Sequence, residues 1–252
     1  ALSTKCGRKR CVKMMWLNLS VLPQLCEVYI CVNDEKNLAW PVYLVLLVII
    51  SFQILFGIGG TALLDPDEPV YAETAKEMIR FGDYLSPRIY NEFWYDKPPI
   101  FYWLVVASLK LFGGFSEIAA RLPAALMAIG SILMTALASA RIFGARTGFW
   151  SGMVMGTSII LMYMGKASVT DSTLLFFMTA ALFSFIHRQY WLMYLACGLA
   201  VMTKGPIGVV FPAGIVFFYL LATRQLEQLF RMHVLRGLLL VVVVGLPWYL
   251  YM

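Results

Sequence analysis

The stretch 98-PPIFYWLVVASLKLFGG-114 decides how everything after it is oriented. Its Pro-Pro start and Gly-Gly end leave about 15 residues of helix, a rise of about 22 Å against the ~30 Å hydrocarbon core of a bilayer. If this run crosses, Arg141, Arg146, Arg188, Arg224, Arg231 and Arg236 fall on the side away from the basic start of the chain, against the tendency of Lys and Arg to stay inside. If it lies in the interface or re-enters, all six share the side of 8-RKRCVK-13, and Lys166 and Lys204 fall opposite. The charge rule selects the second reading.

The expectation of a bilayer comes from composition. The chain is 61% hydrophobic and 13% charged, and a mean hydropathy of +0.77 is more apolar surface than an ordinary water-soluble domain can cover. Outward from the short run, apolar stretches lie at about 40–63, 118–140, 147–164, 172–187, 191–203, 206–222 and 234–252. None alternates with a period of two, so helices are expected. The fold expected is an all-α integral membrane protein, a polytopic bundle of about seven transmembrane helices. Residues 1–39 would form a cytoplasmic N-terminal segment, and 64–117 a first extracytoplasmic loop carrying amphipathic juxtamembrane helices. The net charge of +6 comes from Lys and Arg placed singly at the ends of apolar runs, which marks cytoplasmic loops and gives no nucleic-acid surface. Cys6, Cys11, Cys26 and Cys31 cluster at the start with no histidine nearby, only loosely like a zinc site.

Nine of the fourteen acidic residues fall between Asp65 and Glu117, most of them in 65-DPDEPVYAETAKEMIRFGDYLSPRIYNEFWYDKPP-99. Asp65 reads as a helix N-cap, Pro66 suits the first helical position, and Glu68 sits where a capping-box acid reaches back. That leaves Asp67 without a capping duty, in the first turn of a surface helix beside an apolar run. In 94-WYDKPP-99, Lys97 taken alone reads as a snorkelling lysine. Next to a carboxylate such as Asp67 it offers what a lipid-phosphate substrate requires, one group to hold phosphate and one to handle a proton. Asp96 either binds a divalent metal ion or pairs with Lys97.

Asp171 opens an apolar helix, where capping is its simplest duty. Lys204 interrupts about thirty apolar residues, and a charge at a membrane helix centre costs on the order of 2.5–3.5 kcal/mol, so it calls for an anion. Arg88 and Arg121 are further candidates for phosphate or sugar contact, with a solvated arginine the plainer reading of Arg88. No Gly-rich phosphate loop and no helix with paired histidines is present, and His187 and His233 fall with the arginines, away from the acidic loop.

Taken in order, 67-DEPVYAETAKEM-78, 96-DKPPIFYWL-104, 116-SEIAARLPAAL-126, 170-TD-171, 203-TKGP-206 and 247-PWY-249 resemble the polyprenyl-phosphate-dependent GT-C glycosyltransferases. The nearest group is the aminoarabinose-to-lipid A transferases, in the superfamily that includes protein O-mannosyltransferases. The resemblance covers about residues 40–252. It implies a polyprenyl-phosphate sugar donor, a lipid, protein or glycan acceptor, and inverting transfer at the extracytoplasmic face of the inner membrane. By motif, Asp67 corresponds to the catalytic loop carboxylate, Lys97 to the phosphate-binding lysine and Asp171 to a second acid, while Glu68, Tyr71 and Tyr95 line the pocket. Lys204, Arg88 and Arg121 join the phosphate contacts, and Asp96 stands where a metal ligand would. Two departures are visible: the family commonly has Arg at the place of Val70 and often Glu at the place of Asp96. Members are longer, which implies a truncated domain here. A transporter or flippase of lipid-linked sugars, or a non-catalytic relative, are the competing readings.

Overall fold

The computed structural model describes residues 9–15, 27–33, 40–64 and 66–252. Asp65, and with it the expected N-cap, lies outside the described residues, as do Cys6, Cys26 and the sidedness expected of residues 1–39. The first described elements are two antiparallel paired strands, β1 (Lys9–Met15) and β2 (Glu27–Asn33). Helix α1 (Trp40–Leu55) leads to α2 (Asp67–Phe81), which ends on Gly82 in the left-handed region at φ 66°. A very short hairpin follows, β3 (Arg88–Ile89) with β4 (Glu92–Phe93). Its two-residue loop has Tyr90 at φ 52° and Asn91 at φ 69°, the positive angles that match the twist of a tight hairpin. The all-α expectation is corrected by these two small antiparallel strand pairs.

The remainder is helical: α3 (Ile100–Leu111), α4 (Glu117–Phe143), α5 (Ala145–Gly156), α6 (Ile159–Lys166), α7 (Asp171–Ile186), α8 (Tyr190–Lys204) and α9 (Ile207–Ala222). Three more close the chain, α10 (Gln228–Arg231), α11 (Val234–Gly245) and α12 (Pro247–Tyr251). The expectation of about seven spanning helices does not hold. Among the described residues α4 is the one helix long and apolar enough to cross a membrane by itself, and α6 with α7 passes only if counted together across a 117° bend. The physical cause is interruption. The apolar run expected at 40–63 stops being helical at Leu55, before Gly57, Gly59 and Gly60. That expected at 147–164 is cut at Thr157–Ser158, and that at 234–252 at the Leu246–Pro247 step. A proline lacks the N–H needed to continue a helix, and glycine costs about 1 kcal/mol relative to alanine.

Helix α4 is the post around which the rest packs. Ser116 caps it by accepting from the Ala119 N–H at 3.2 Å, and small residues along it, Ala119, Ala124, Ala125, Ala128 and Ala136, are fully buried. One side of its N-terminal half joins α2 and α3 in a core that includes Tyr71, Met78, Phe101, Tyr102 and Val105. Its other side packs α1, α5 and α6 through Leu46, Ile50, Ile54 and Ile132. A third core, among α7, α8, α9 and α11, is built on Ala181, Cys197, Val216, Leu220 and Val241. Gly208 lets α9 approach α8 so closely that a side chain there would strike the backbone of Ala200 and Val201. The last turn, Trp248 with Ile100 and Met202, ties the chain end to the start of α3.

Candidate active site

Two charged clusters lie at the end of the bundle where α2, α3, α7 and α8 meet, and they differ in kind. The first is closed. Glu68, 2% exposed, receives Arg121 Nε on Oε1 at 2.8 Å and Arg121 Nη2 on Oε2 at 2.7 Å. The same carboxylate accepts the backbone N–H of Ser168 at 2.6 Å and of Leu64 at 2.7 Å. Arg121 Nη1 donates to the carbonyls of Ile58 (2.8 Å) and Thr61 (2.9 Å), and Nη2 also to Ala62 at 2.9 Å. All five guanidinium N–H groups therefore have protein acceptors, in the fork geometry that makes arginine–carboxylate pairs strong.

Burial alone would push the Glu68 carboxyl up, but the hydrogen bonds from Arg121 and from the Leu64 and Ser168 amides outweigh it and hold it below its ordinary value. This corrects two expectations. Arg121 has no donor left for a phosphate and Glu68 no lone pair facing a pocket; together they fasten the loop 58–64 and the turn at Ser168 to α4. Glu68 does reach back as a capping-box acid, but to Leu64, whose carbonyl in turn receives the Glu68 N–H at 3.2 Å.

The second cluster is open. Lys204 Nζ donates to Asp171 Oδ1 at 2.6 Å, with both side chains partly exposed. Asp171 is the first residue of α7 and Thr170 occupies the cap position without a side-chain cap bond, so Asp171 serves Lys204 and does not cap. Gly205, at φ 87°, ends α8 and Pro206 begins the next helix, which fixes Lys204 at the mouth opposite the start of α7. Lys97 Nζ donates to Asp96 Oδ2 at 2.8 Å. That hydrogen bond raises the Lys97 ammonium above its ordinary value, burial opposes it, and Tyr71 and Asp171 are close enough to add to the rise. Tyr71 joins the two pairs: burial pushes its phenol up, with Thr170 and Lys97 beside it pulling the other way. Its ring is edge-on to Phe101 at 5.3 Å.

Asp67 opens α2, exposed. Four residues before Tyr71, it lies on the same helix face one turn outward. Among the described residues the buried hydroxyls of Tyr102, Ser108, Thr170 and Thr173 and the buried Nε of Arg88 make no direct hydrogen bond, and an unmet buried polar group costs about 1–3 kcal/mol unless water or a ligand satisfies it. Tyr102 and Thr173 lie inside apolar runs, where the sequence offered no signal for them.

The remaining expected residues sit around the rim. Arg88 is held between the Phe93 ring (4.3 Å) and the Phe81 ring (4.9 Å), with Asp83 at 3.5 Å. Tyr95 stacks on Phe93 at 5.7 Å and meets Trp248 edge-on at 6.5 Å. Trp248 in turn donates to the Leu85 carbonyl at 2.9 Å. Glu77 is buried and accepts the Asn91 N–H on both oxygens at 3.1 Å, holding the hairpin against α2. As for a divalent metal, Asp96 is paired with Lys97, and among the described residues no group of three or more His, Cys, Asp or Glu could hold an ion. The side chains present among the described residues do not fit a protein-held metal.

Two carboxylate-tethered lysines, Lys97 and Lys204, thus stand at one end of the helical domain. The chain belongs to the dolichyl-phosphate-mannose-protein mannosyltransferase family, whose pattern it matches over residues 96–251. It is 30% identical over 225 residues to the undecaprenyl phosphate-alpha-4-amino-4-deoxy-L-arabinose arabinosyl transferase of Pectobacterium carotovorum, covering 81% of this chain and 38% of that protein. An uncharacterised protein of Aquifex aeolicus is 35% identical over 216 residues, covering 82% of this chain and 43% of the relative. The crystal structure of ArnT from Cupriavidus metallidurans bound to undecaprenyl phosphate superposes with a TM-score of 0.77 at 27% identity, over 84% of this chain and 42% of that one. The chain thus spans about two fifths of the length of these relatives. Membership places it among multi-pass proteins of the inner membrane.

Proposed function

We propose that this chain forms the donor-handling part of a membrane glycosyltransferase. The enzyme moves a sugar from a polyprenyl phosphate to a hydroxyl or phosphate of a lipid, protein or glycan acceptor, at the extracytoplasmic face of the inner membrane. The observation that carries the reading is the open cluster: Lys97 tethered to Asp96 and Lys204 tethered to Asp171, with Tyr71 close enough to Lys97, Asp96 and Asp171 to feel their charges. Its chemistry agrees with the undecaprenyl phosphate bound by the related ArnT. A cavity of about 420 Å³ opens beside Asp171, walled by Met155, Leu161, Met164 and Leu175, an apolar channel of the kind a prenyl chain needs.

In this reading Asp67 takes the proton of the acceptor O–H as its oxygen attacks C1 of the sugar. The C1–O bond to the donor phosphate breaks, its electron pair leaves with the phosphate, and the configuration at C1 inverts. Lys97 stabilises the negative charge that grows on the departing phosphate, the kind of interaction that strengthens toward the transition state. Asp171 keeps Lys204 oriented toward the same anion. Grouping of these residues at one end of the helices, with none strung through their length, favours transfer over a conduit.

The test is transfer of label from a radiolabelled polyprenyl-phosphate sugar by membranes containing the full-length protein. Asp67→Asn lowers turnover about 10²–10⁴-fold while donor binding survives; turnover like that of the unaltered enzyme would end the assignment. Sidedness has its own check. In intact cells a membrane-impermeant thiol reagent labels Tyr90→Cys and spares Gln228→Cys, and the reverse pattern would overturn the extracytoplasmic site.

A further inference from the structure

At the far ends of α7 and α8 the molecule carries a second anion-suited feature that the transfer reading does not use. Helix α7 has sixteen residues, so this end lies about 24 Å along the axis from Asp171. Here a cavity of about 360 Å³ is lined by Arg188, Tyr190, Arg224, Glu227, Gln228 and Arg231. Three cations face one anion. Arg188 and Arg224 both follow helix ends in the left-handed region, at φ 58° and 55°, which turns each residue back over its own helix terminus. Among the described residues none of the three guanidinium groups has a hydrogen-bond or ion-pair partner, whereas Arg121 has every donor met. Of the other lining residues, Gln228 donates to the Tyr190 hydroxyl at 2.9 Å.

A groove of about 420 Å³ adjoins it and shares Arg188 and Gln228 with it. Its walls are apolar: Ile142 of α4, Leu182 and Phe185 of α7, and Ile215, Val216 and Tyr219 of α9. A cationic cup opening into an apolar groove on the surface of the helical domain has the shape of an amphiphile. A free phosphate would use the cup alone and a neutral lipid the groove alone.

We propose that this composite cavity is a site for an anionic phospholipid of the surrounding membrane, its phosphate among Arg188, Arg224 and Arg231 and one acyl chain along the α4–α7–α9 groove. Basic pockets between membrane helices take such headgroups. The inference rests on the membrane location of the chain and is independent of the transfer reading.

Native mass spectrometry of the purified full-length protein in detergent, with added phosphatidylglycerol, phosphatidylcholine or glycerol phosphate, tests it. Phosphatidylglycerol is retained in preference to the other two. Replacing Arg188, Arg224 or Arg231 singly by Gln lowers retention on the order of fivefold each. Ile215→Ser, at a half-exposed wall position, lowers retention of the lipid and leaves the weak binding of glycerol phosphate unchanged. The triple control Arg141→Gln, Arg146→Gln and Arg236→Gln removes the same charge outside the cavity and keeps binding. Equal retention of phosphatidylcholine, equal loss in the control, or glycerol phosphate binding as well as the lipid would each overturn the proposal. Because folding is read in the same spectra from the charge-state distribution, a variant that unfolds is replaced by the corresponding Arg→Ala variant.

Discussion

The Glu68–Arg121 pair and the Asp171–Lys204 pair have almost the same separation, 2.7 and 2.6 Å, yet they do different work. The first is buried, with every donor and acceptor matched by protein. The second is partly exposed, and Lys204 has donors that Asp171 does not use. A saturated pair has nothing to offer a substrate, so its value is geometric: it pins the 58–64 loop and so sets where α2, with Asp67, begins. An open pair contributes little to folding, because an exposed ion pair is worth about 0–1 kcal/mol. Its charges remain available to a phosphate.

The largest effect that sharpens this contrast is on stability. Arg121→Ala leaves a buried carboxylate without its partner and lowers the unfolding free energy of the full-length protein by about 3–5 kcal/mol, measured by denaturation in detergent; a loss under about 1 kcal/mol would break the distinction. Lys204→Met moves the same measurement by no more than about 1 kcal/mol while weakening donor binding, so its effect appears in KM for the polyprenyl-phosphate sugar.

The pH dependence follows the same division. The folded value of Glu68 is held below its ordinary 4.5. Its contribution to stability is therefore complete above about pH 4.5 and fades as pH falls through the lowered value. Acid unfolding followed by intrinsic Trp fluorescence shows this, and Glu68→Gln flattens the fall. Smallest is Glu77→Gln: it exchanges one acceptor for another of similar shape at the Asn91 N–H, costs about 1 kcal/mol, and loosens the hairpin to hydrogen exchange at Asn91 without altering α4.

Much of the open cluster is legible in the sequence. Lys204 in an apolar run called for an anion, and Asp171 is that anion; Lys97 beside Asp96 offered pairing as one of two choices, and pairing is what the structure contains. The closed cluster was not legible. Glu68 and Arg121 are 53 residues apart, and an arginine at the start of an apolar helix looks the same whether it faces a phosphate or a ring of carbonyls. Span lengths misled for a related reason. A hydropathy run counts apolar residues across Thr157–Ser158 or Leu246–Pro247, whereas a helix needs an unbroken ladder of backbone bonds. The Tyr90–Asn91 turn gave no signal because the usual Asn-Gly or Asp-Gly pair is absent, and the turn is held from outside by Glu77.

The most direct test of the division between the two pairs is Lys97→Ala in the full-length protein, read for stability and for sugar transfer on the same preparation. The expected result is an unfolding free energy within about 1 kcal/mol of the unaltered protein, with both donor binding and turnover reduced, and only partial recovery in Lys97→Arg because a planar fork is a poor substitute for a compact ammonium. Transfer that is unchanged, or that falls only in proportion to the folded fraction, would contradict it.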